Sequence, residues 1–394
     1  MRQFLRAATK VRQRSADLSA IVRGIPRMRA ARRPRRPGEP TRVRFVFADI
    51  GAPTRYRVWH QIEQARLSGM AVRVAPLDDA QNLYDLSSCD LLYLHRLALA
   101  PPTLALCAAA RLRHVPIVFD SDDLVWDLQA RSYNYLDDHY CPDIVARLVW
   151  TIRRTHALMR LADAFVFSTP YLARIAAQSF RQPAYVNPNA LSSVMVCAAE
   201  AAYAERERYP LDERVVIGYF CGQSRIHDED LASIAPALCT MLDQHPNVRL
   251  RIYGEVRLMG KLACQHYTAR IEPRPAVEWH QLPRQIAQVD INIAPLVDNP
   301  QRRAKSPVKY LEAALVGVPT VASRLDPYQN DIAHGTTGLL AATNEEWVDC
   351  LTRLKEAPEL RRRMGEAARD HVLAQHTTAV RAPNFAAIMS QVAS

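Results

Sequence analysis

Two lysines and a glutamate lie close together at Lys305, Lys309 and Glu312, in a chain that holds only three other lysines. Ser306 followed by Pro307 reads as an N-cap and first-turn pair, and Gly317 with Pro319 reads as a stop, so the spacing predicts a short helix over 307–316. On such a helix Lys309 and Glu312 are three apart and share a face, with Lys305 just ahead of the N-terminus. A compact ammonium beside the free N–H groups of a helix start suits a phosphate. Lys305, Lys309 and those amides would then stabilise negative charge on a phosphate group, which makes Lys309 a catalytic candidate. The competing reading is a solvent-facing Lys309–Glu312 pair.

Three other places offer chemistry. Gly222-Gln223-Ser224-Arg225, with His227 beyond, follows an apolar run and opens a helical pattern. Gly222, Arg225 and His227 are therefore ligand-binding candidates, with simple solvation of Arg225 and His227 as the alternative. Gly254 ends a second apolar run, where a missing side chain lets a ligand approach the backbone. Asp120-Ser121-Asp122-Asp123 ends a third; Asp122 is a candidate base or hydroxyl partner, or else Asp122 or Asp123 caps a following helix. His95 ends a fourth run, as a catalytic group or as a core or capping histidine.

Such residues need strand ends to hold them. From Val43 onward short apolar runs alternate with longer amphipathic stretches: strands near 43–48, 71–75, 90–94, 115–119 and 164–168, with helices near 55–68, 102–112, 143–161 and 170–178. A loop at 187–212 precedes a second series, with strands at 215–220, 248–253, 290–294 and 319–322 and helices at 229–243, 281–287 and 307–316. Helical stretches at 345–356, 358–375 and 380–392 close the chain. This alternation predicts two doubly wound α/β domains with parallel sheets, which bind ligands at the carboxyl ends of their strands. The expected division is a basic arm and linker at 1–42, a first Rossmann-like domain at 43–205, a second at 206–376 and a C-terminal helix at 377–394.

Composition narrows the function further. Residues 1–42 hold 13 Lys+Arg against Asp17 and Glu39, which accounts for the whole net charge of +11. The folded body is thus neutral, which argues against a nucleic-acid partner and for an arm that seeks an anionic membrane surface. Phe4, Ala8, Val11, Leu18, Val22 and Ile25 recur at helical spacing within the arm; a disordered solubilising arm, or one that binds nucleic acid, are the alternatives. Neither G-x-G-x-x-G nor a P-loop motif occurs, so dinucleotide oxidoreductases and P-loop NTPases lose their sequence support. Eight cysteines without a C-x-x-C pair read as reduced thiols, and no metal site is expected. The longest uncharged apolar run, Leu97 to Ala110, is too short to span a bilayer and no signal peptide is legible, so the expected location is cytoplasmic.

The run Lys305 to Pro319, with Val321-Ala322-Ser323 and Asp326-Pro327-Tyr328 after it, resembles the donor-binding region of the GT-B glycosyltransferases of family 4, especially the bacterial surface-polysaccharide branch. Ile217-Gly218-Tyr219-Phe220-Cys221-Gly222 with His227 and Asp230, Leu250-Arg251-Ile252-Tyr253-Gly254, and Asp290-Ile291-Asn292-Ile293-Ala294-Pro295-Leu296 are similar to that family in the same order, as are Asn344-Glu345-Glu346-Trp347 and Leu360-Arg361. Arg55-Tyr56-Arg57 and Phe119 to Leu124 resemble it more weakly. The resemblance covers roughly 43–376. It implies the GT-B architecture, two Rossmann-like domains with an interdomain cleft, and transfer of a sugar from a nucleotide-diphosphate donor to a glycan or lipid-linked acceptor with retention. It implies no metal ion and no cofactor, the sugar nucleotide being a substrate. Glu312 matches the second glutamate of the family's E-x7-E motif, which accepts hydrogen bonds from the donor ribose. The first falls at Ala304. A nucleotide-sugar epimerase of the same architecture is the rival enzyme.

Overall fold

The computed structural model describes residues 36, 38–79, 85–134, 136–206, 214–222, 226–254 and 269–393. The basic arm, apart from its last few residues, lies outside them. Two units emerge from the contacts.

The first unit is built on a six-stranded parallel sheet. Its strands are β1 (Arg42–Phe47), β2 (Ala71–Pro76), β3 (Leu91–His95), β4 (Ile117–Ser121), β5 (Ala164–Phe167) and β6 (Ala184–Val186). The order β2-β1-β3-β4-β5-β6 reverses direction between β1 and β3. The central strands β3 and β4 are buried along their whole length, as a sheet covered on both faces requires. Helices Pro101–Arg111 and Pro142–Met159 put Leu106, Cys107, Leu158 and Met159 into the core on one face. The helical run Ala52–Leu67, with a π turn at Arg55–Trp59, and the C-terminal helix Thr378–Ala393 cover the other.

The second unit repeats the plan with β7 (Val215–Phe220), β8 (Val248–Tyr253), β9 (Ile271–Arg274), β10 (Ile291–Ala294), β11 (Thr320–Ser323) and β12 (Leu339–Ala341). The order β12-β11-β10-β7-β8-β9 reverses between β7 and β10. All strand pairings in both sheets are parallel. The doubly wound α/β expectation is met twice.

The division differs from the sequence reading. The boundary falls after Ala190 rather than at 205/206, because the supposed loop contains helix Ser193–Arg206, which packs on helices Leu282–Ile286 and Val308–Leu315 of the second unit. Asn299–Lys305 returns to the first unit, as does the chain from Thr378. Cys239 is disulfide-bonded rather than reduced. Among the described residues no helix is long and apolar enough to cross a membrane.

Candidate active site

In the second unit the residues gather at the reversal between β7 and β10, where ligands of open parallel sheets bind. Helix Val308–Leu315 begins one residue later than expected. Its N-cap is Pro307 with ψ 34°, outside helical range, and Ser306 supplies no cap. Instead the Ser306 Oγ is buried with no hydrogen-bond partner at the helix start. Lys309 lies over the Tyr219 ring, its Nζ 4.3 Å from the centroid and 3.2 Å from the phenol oxygen. Asn292 on β10 donates to the Lys309 carbonyl at 3.3 Å and to Thr320 Oγ1 at 3.0 Å, fixing the helix to β10 and β11. Lys309 therefore sits against β7 instead of forming a solvated pair with Glu312, which is half-buried one turn further on.

Other predicted residues divide. Gly222 is exposed just beyond β7, and a side chain there would meet nothing within 4 Å. Gly254, at φ +104°, is required by the protein's own packing: an added Cβ would stand 2.3 Å from the Cys221 carbonyl oxygen. Arg225 and the side chain of His227 lie outside the described residues. Lys305 has an acidic partner of its own. It belongs to the first unit, where its Nζ is 3.1 Å from both oxygens of Asp123, and Gln301 Nε2 donates to the same carboxylate at 2.6 Å. Neighbouring Ala304 is fully buried in the first unit's core, a place where a glutamate could not keep its charge solvated.

The first unit's own reversal, between β1 and β3, carries a buried polar network. Asp120, at 0% exposure, accepts from Arg57 at 2.5 Å, from Tyr93 Oη at 2.7 Å and from His95 Nδ1 at 2.9 Å, with the Gln61 amide beside them. Burial opposes its ionisation, but the Arg57 charge and the His95 hydrogen bond outweigh that and hold its carboxyl below the ordinary value. An ionised carboxylate only accepts, so His95 Nδ1 carries a proton. His95 Nε2 is buried without a hydrogen-bond partner. Arg57 also donates to the Asn187 carbonyl at 2.6 Å and to Asn189 Oδ1 at 3.1 Å, tying β4 to the segment after β6.

The aspartates of the Asp120–Asp123 run face different partners. Asp122 caps no helix; it lies 3.4 Å from Arg96, a residue at φ +47° directly after β3. Asp123 pairs with Lys305 and, at 3.7 Å, with Arg96. Despite burial, Lys305 and then Arg96 hold the Asp123 carboxyl below its usual range.

Sequence reading overlooked the centre of this network. Thr54, Arg57, Gln61 and Gln64 recur at steps of three and four on the same helical stripe as Val58, Ile62 and Ala65, and all seven are buried. Polar residues on an apolar stripe were the available signal. His60 is part of the same packing: its Nδ1 bonds the Ala190 carbonyl at 2.7 Å, and burial lowers its pKa to about 4 despite that bond. The unfolded chain therefore takes up a proton near pH 6.5 that the folded chain refuses until about pH 4. Stability from this site is full above pH 6.5 and falls as the pH drops through that window, by about 3 kcal/mol in all. His60→Gln should flatten this part of the pH dependence, as read from urea midpoints between pH 7.5 and 4.

Solved structures share this two-sheet arrangement over most of the chain. The HepE protein of Anabaena, solved with UDP and glucose, superposes with a TM-score of 0.63 over 89% of this chain and 100% of its own, at 13% identity. A glycosyltransferase from Rickettsia africae gives 0.64 over 90% and 98% at 12% identity. Sucrose-phosphate synthase from Thermosynechococcus elongatus gives 0.61 over 89% and 99% at 13%. The chain has the GT-B glycosyltransferase fold. Within it, residues 235–387 match a family model described as glycosyl transferase-like, and that span includes Lys309 and Glu312. No curated protein matches the chain. In GT-B terms, the reversal at β7 and β10 belongs to the C-terminal Rossmann-like unit and the Asp120 network to the N-terminal one.

Proposed function

We propose that the protein transfers a sugar from a nucleotide-diphosphate donor to a glycan or lipid-linked acceptor, with retention and without a metal ion, on the cytoplasmic face of a membrane that the basic arm helps it reach. The observation that carries this reading is Lys309 held on Tyr219 at the β7/β10 reversal, with the partnerless Ser306 hydroxyl at the start of its helix. A diphosphate there would meet an ammonium, a hydroxyl and free helix N–H groups together. Glu312, one turn on, would accept from ribose hydroxyls. In the first unit, His95 oriented by Asp120, and Asp122 beside Arg96, are the groups assigned to the acceptor hydroxyl. The bound UDP and UDP-glucose of the HepE structures add support for a uridine nucleotide.

A release screen across UDP-, GDP- and dTDP-sugars with purified protein tests the reading, and the absence of turnover with every donor and acceptor class would end it. Glu312→Gln should raise the dissociation constant for the productive nucleotide about tenfold without changing the melting temperature. Chelator should leave transfer unchanged. A putative UDP-N-acetylglucosamine 2-epimerase from Listeria monocytogenes also shares the fold, at a TM-score of 0.52. Turnover of donor with no acceptor present would favour that chemistry instead.

A further inference from the structure

Helix Pro142–Met159 of the first unit is poorly covered for a helix of a doubly wound sheet. Only Val145, Thr155, Leu158 and Met159 of its 18 residues are buried. Its outward stripe centres on Trp150, 58% exposed. Arg147, Arg153 and Arg154 lie three or four residues from that tryptophan and so ring it, while Arg160 extends the same side. Arg154 stacks on the Trp150 ring at 4.1 Å and bonds the Leu99 carbonyl, so the indole is braced rather than loose. Arg147, Arg153 and Arg160 have no carboxylate within ion-pairing distance among the described residues, and Asp143 is the one acid in residues 142–160. Helix Pro101–Arg111, which feeds the same core face, presents Leu104 at 51% exposure, with Leu112 just past its end at 79%. Arg111, at the end of this helix, is already neutralised by Asp163 at 2.6 Å.

We propose that this face, the outward stripes of helices Pro142–Met159 and Pro101–Arg111, is a docking surface for an anionic lipid bilayer, separate from the N-terminal arm. Indole prefers the headgroup level of a bilayer, exposed leucines gain by leaving water, and unpaired guanidinium groups match phosphate headgroups. Nucleic acid would satisfy the arginines and stack on the indole but offers nothing to Leu104 and Leu112. A second copy of the same face would bring like charges together. The inference takes its purpose from the lipid-linked acceptor proposed above, but its test needs no sugar transfer.

The experiment uses the full chain and vesicles of phosphatidylcholine with 0 or 30% phosphatidylglycerol. Arg147→Glu combined with Arg153→Glu should weaken binding to the anionic vesicles at least tenfold, and Trp150→Ser about fivefold, with unchanged melting temperatures. Trp150→Phe should retain binding yet lose most of the fluorescence quenching that brominated acyl chains cause in the wild type. Wild-type binding that none of these changes alters would overturn the proposal and leave membrane contact to the arm. Equal affinity for uncharged vesicles, or loss of RNA binding without loss of vesicle binding in the double variant, would overturn it as well. Failure of sugar transfer with vesicle binding intact would count against the enzyme reading alone.

Discussion

Arg57→Ala should be among the most damaging single changes in the protein, lowering stability by about 3–5 kcal/mol, because it strands a buried charge instead of merely removing a contact. Asp120 is fully enclosed and its ionised form depends on the guanidinium at 2.5 Å. Without it the carboxyl must take a proton, and then His95 faces a neutral acid that holds its ring less firmly. Arg57→Met combined with Asp120→Asn should recover part of the loss, since no unpaired charge then remains. Thermal melting of the wild type, the single variant and the pair measures both effects. A single variant that melts within two degrees of the wild type would refute the buried-charge account. Arg57→Lys should fall between, because one ammonium cannot serve Asp120, Asn187 and Asn189 with the geometry of a fork.

Gly365→Ala should cost about 2–3 kcal/mol even though alanine favours helices by roughly 1 kcal/mol. Gly365 lies in helix Pro358–Gln375, and an added Cβ would stand 2.0 Å from the Gly317 carbonyl oxygen, a backbone atom with little room to move. Gly317, at φ +66°, ends the helix that carries Lys309 and Glu312. Pushing the two helices apart should therefore weaken nucleotide binding along with stability, which isothermal titration with UDP and a melting curve together would show. Gly335→Ala is the control. It strains a backbone at φ +86° but meets no neighbour within 4 Å, so it should cost only about 1 kcal/mol and leave nucleotide affinity alone.

The two series of central strands were legible because burial on both faces writes them as short continuous apolar runs, as in Leu91–His95 and Ile291–Ala294. Three of the four edge strands, β6, β9 and β12, were not. β6 has three residues and β9 reads Ile-Glu-Pro-Arg with half its length exposed, so neither shows an apolar run or a clean alternation. Helix Ser193–Arg206 was mistaken for loop because alanines dilute its stripe and Val194 faces solvent. In the candidate site, the short helix and its Gly317 stop follow from local rules, whereas the pairing of Lys305 with Asp123 does not. Asp123, which captures Lys305, is 182 positions away in sequence, and no spacing reports such a partner. The Ser306 cap failed for a local reason: Pro307 takes a ψ that starts the helix one residue later.

Helix Thr378–Ala393 has a consequence for how the chain acquires its shape. Phe385, Ile388 and Met389 complete the apolar layer over β1 and β3, with Phe385 6.0 Å from the Tyr93 ring. The half made first on the ribosome must therefore wait, with a greasy sheet face open, until the segment Thr378–Ala393 has emerged. Neither half can be obtained by a single cut, and a nascent chain stalled near position 376 should be a substrate for chaperones rather than a finished domain.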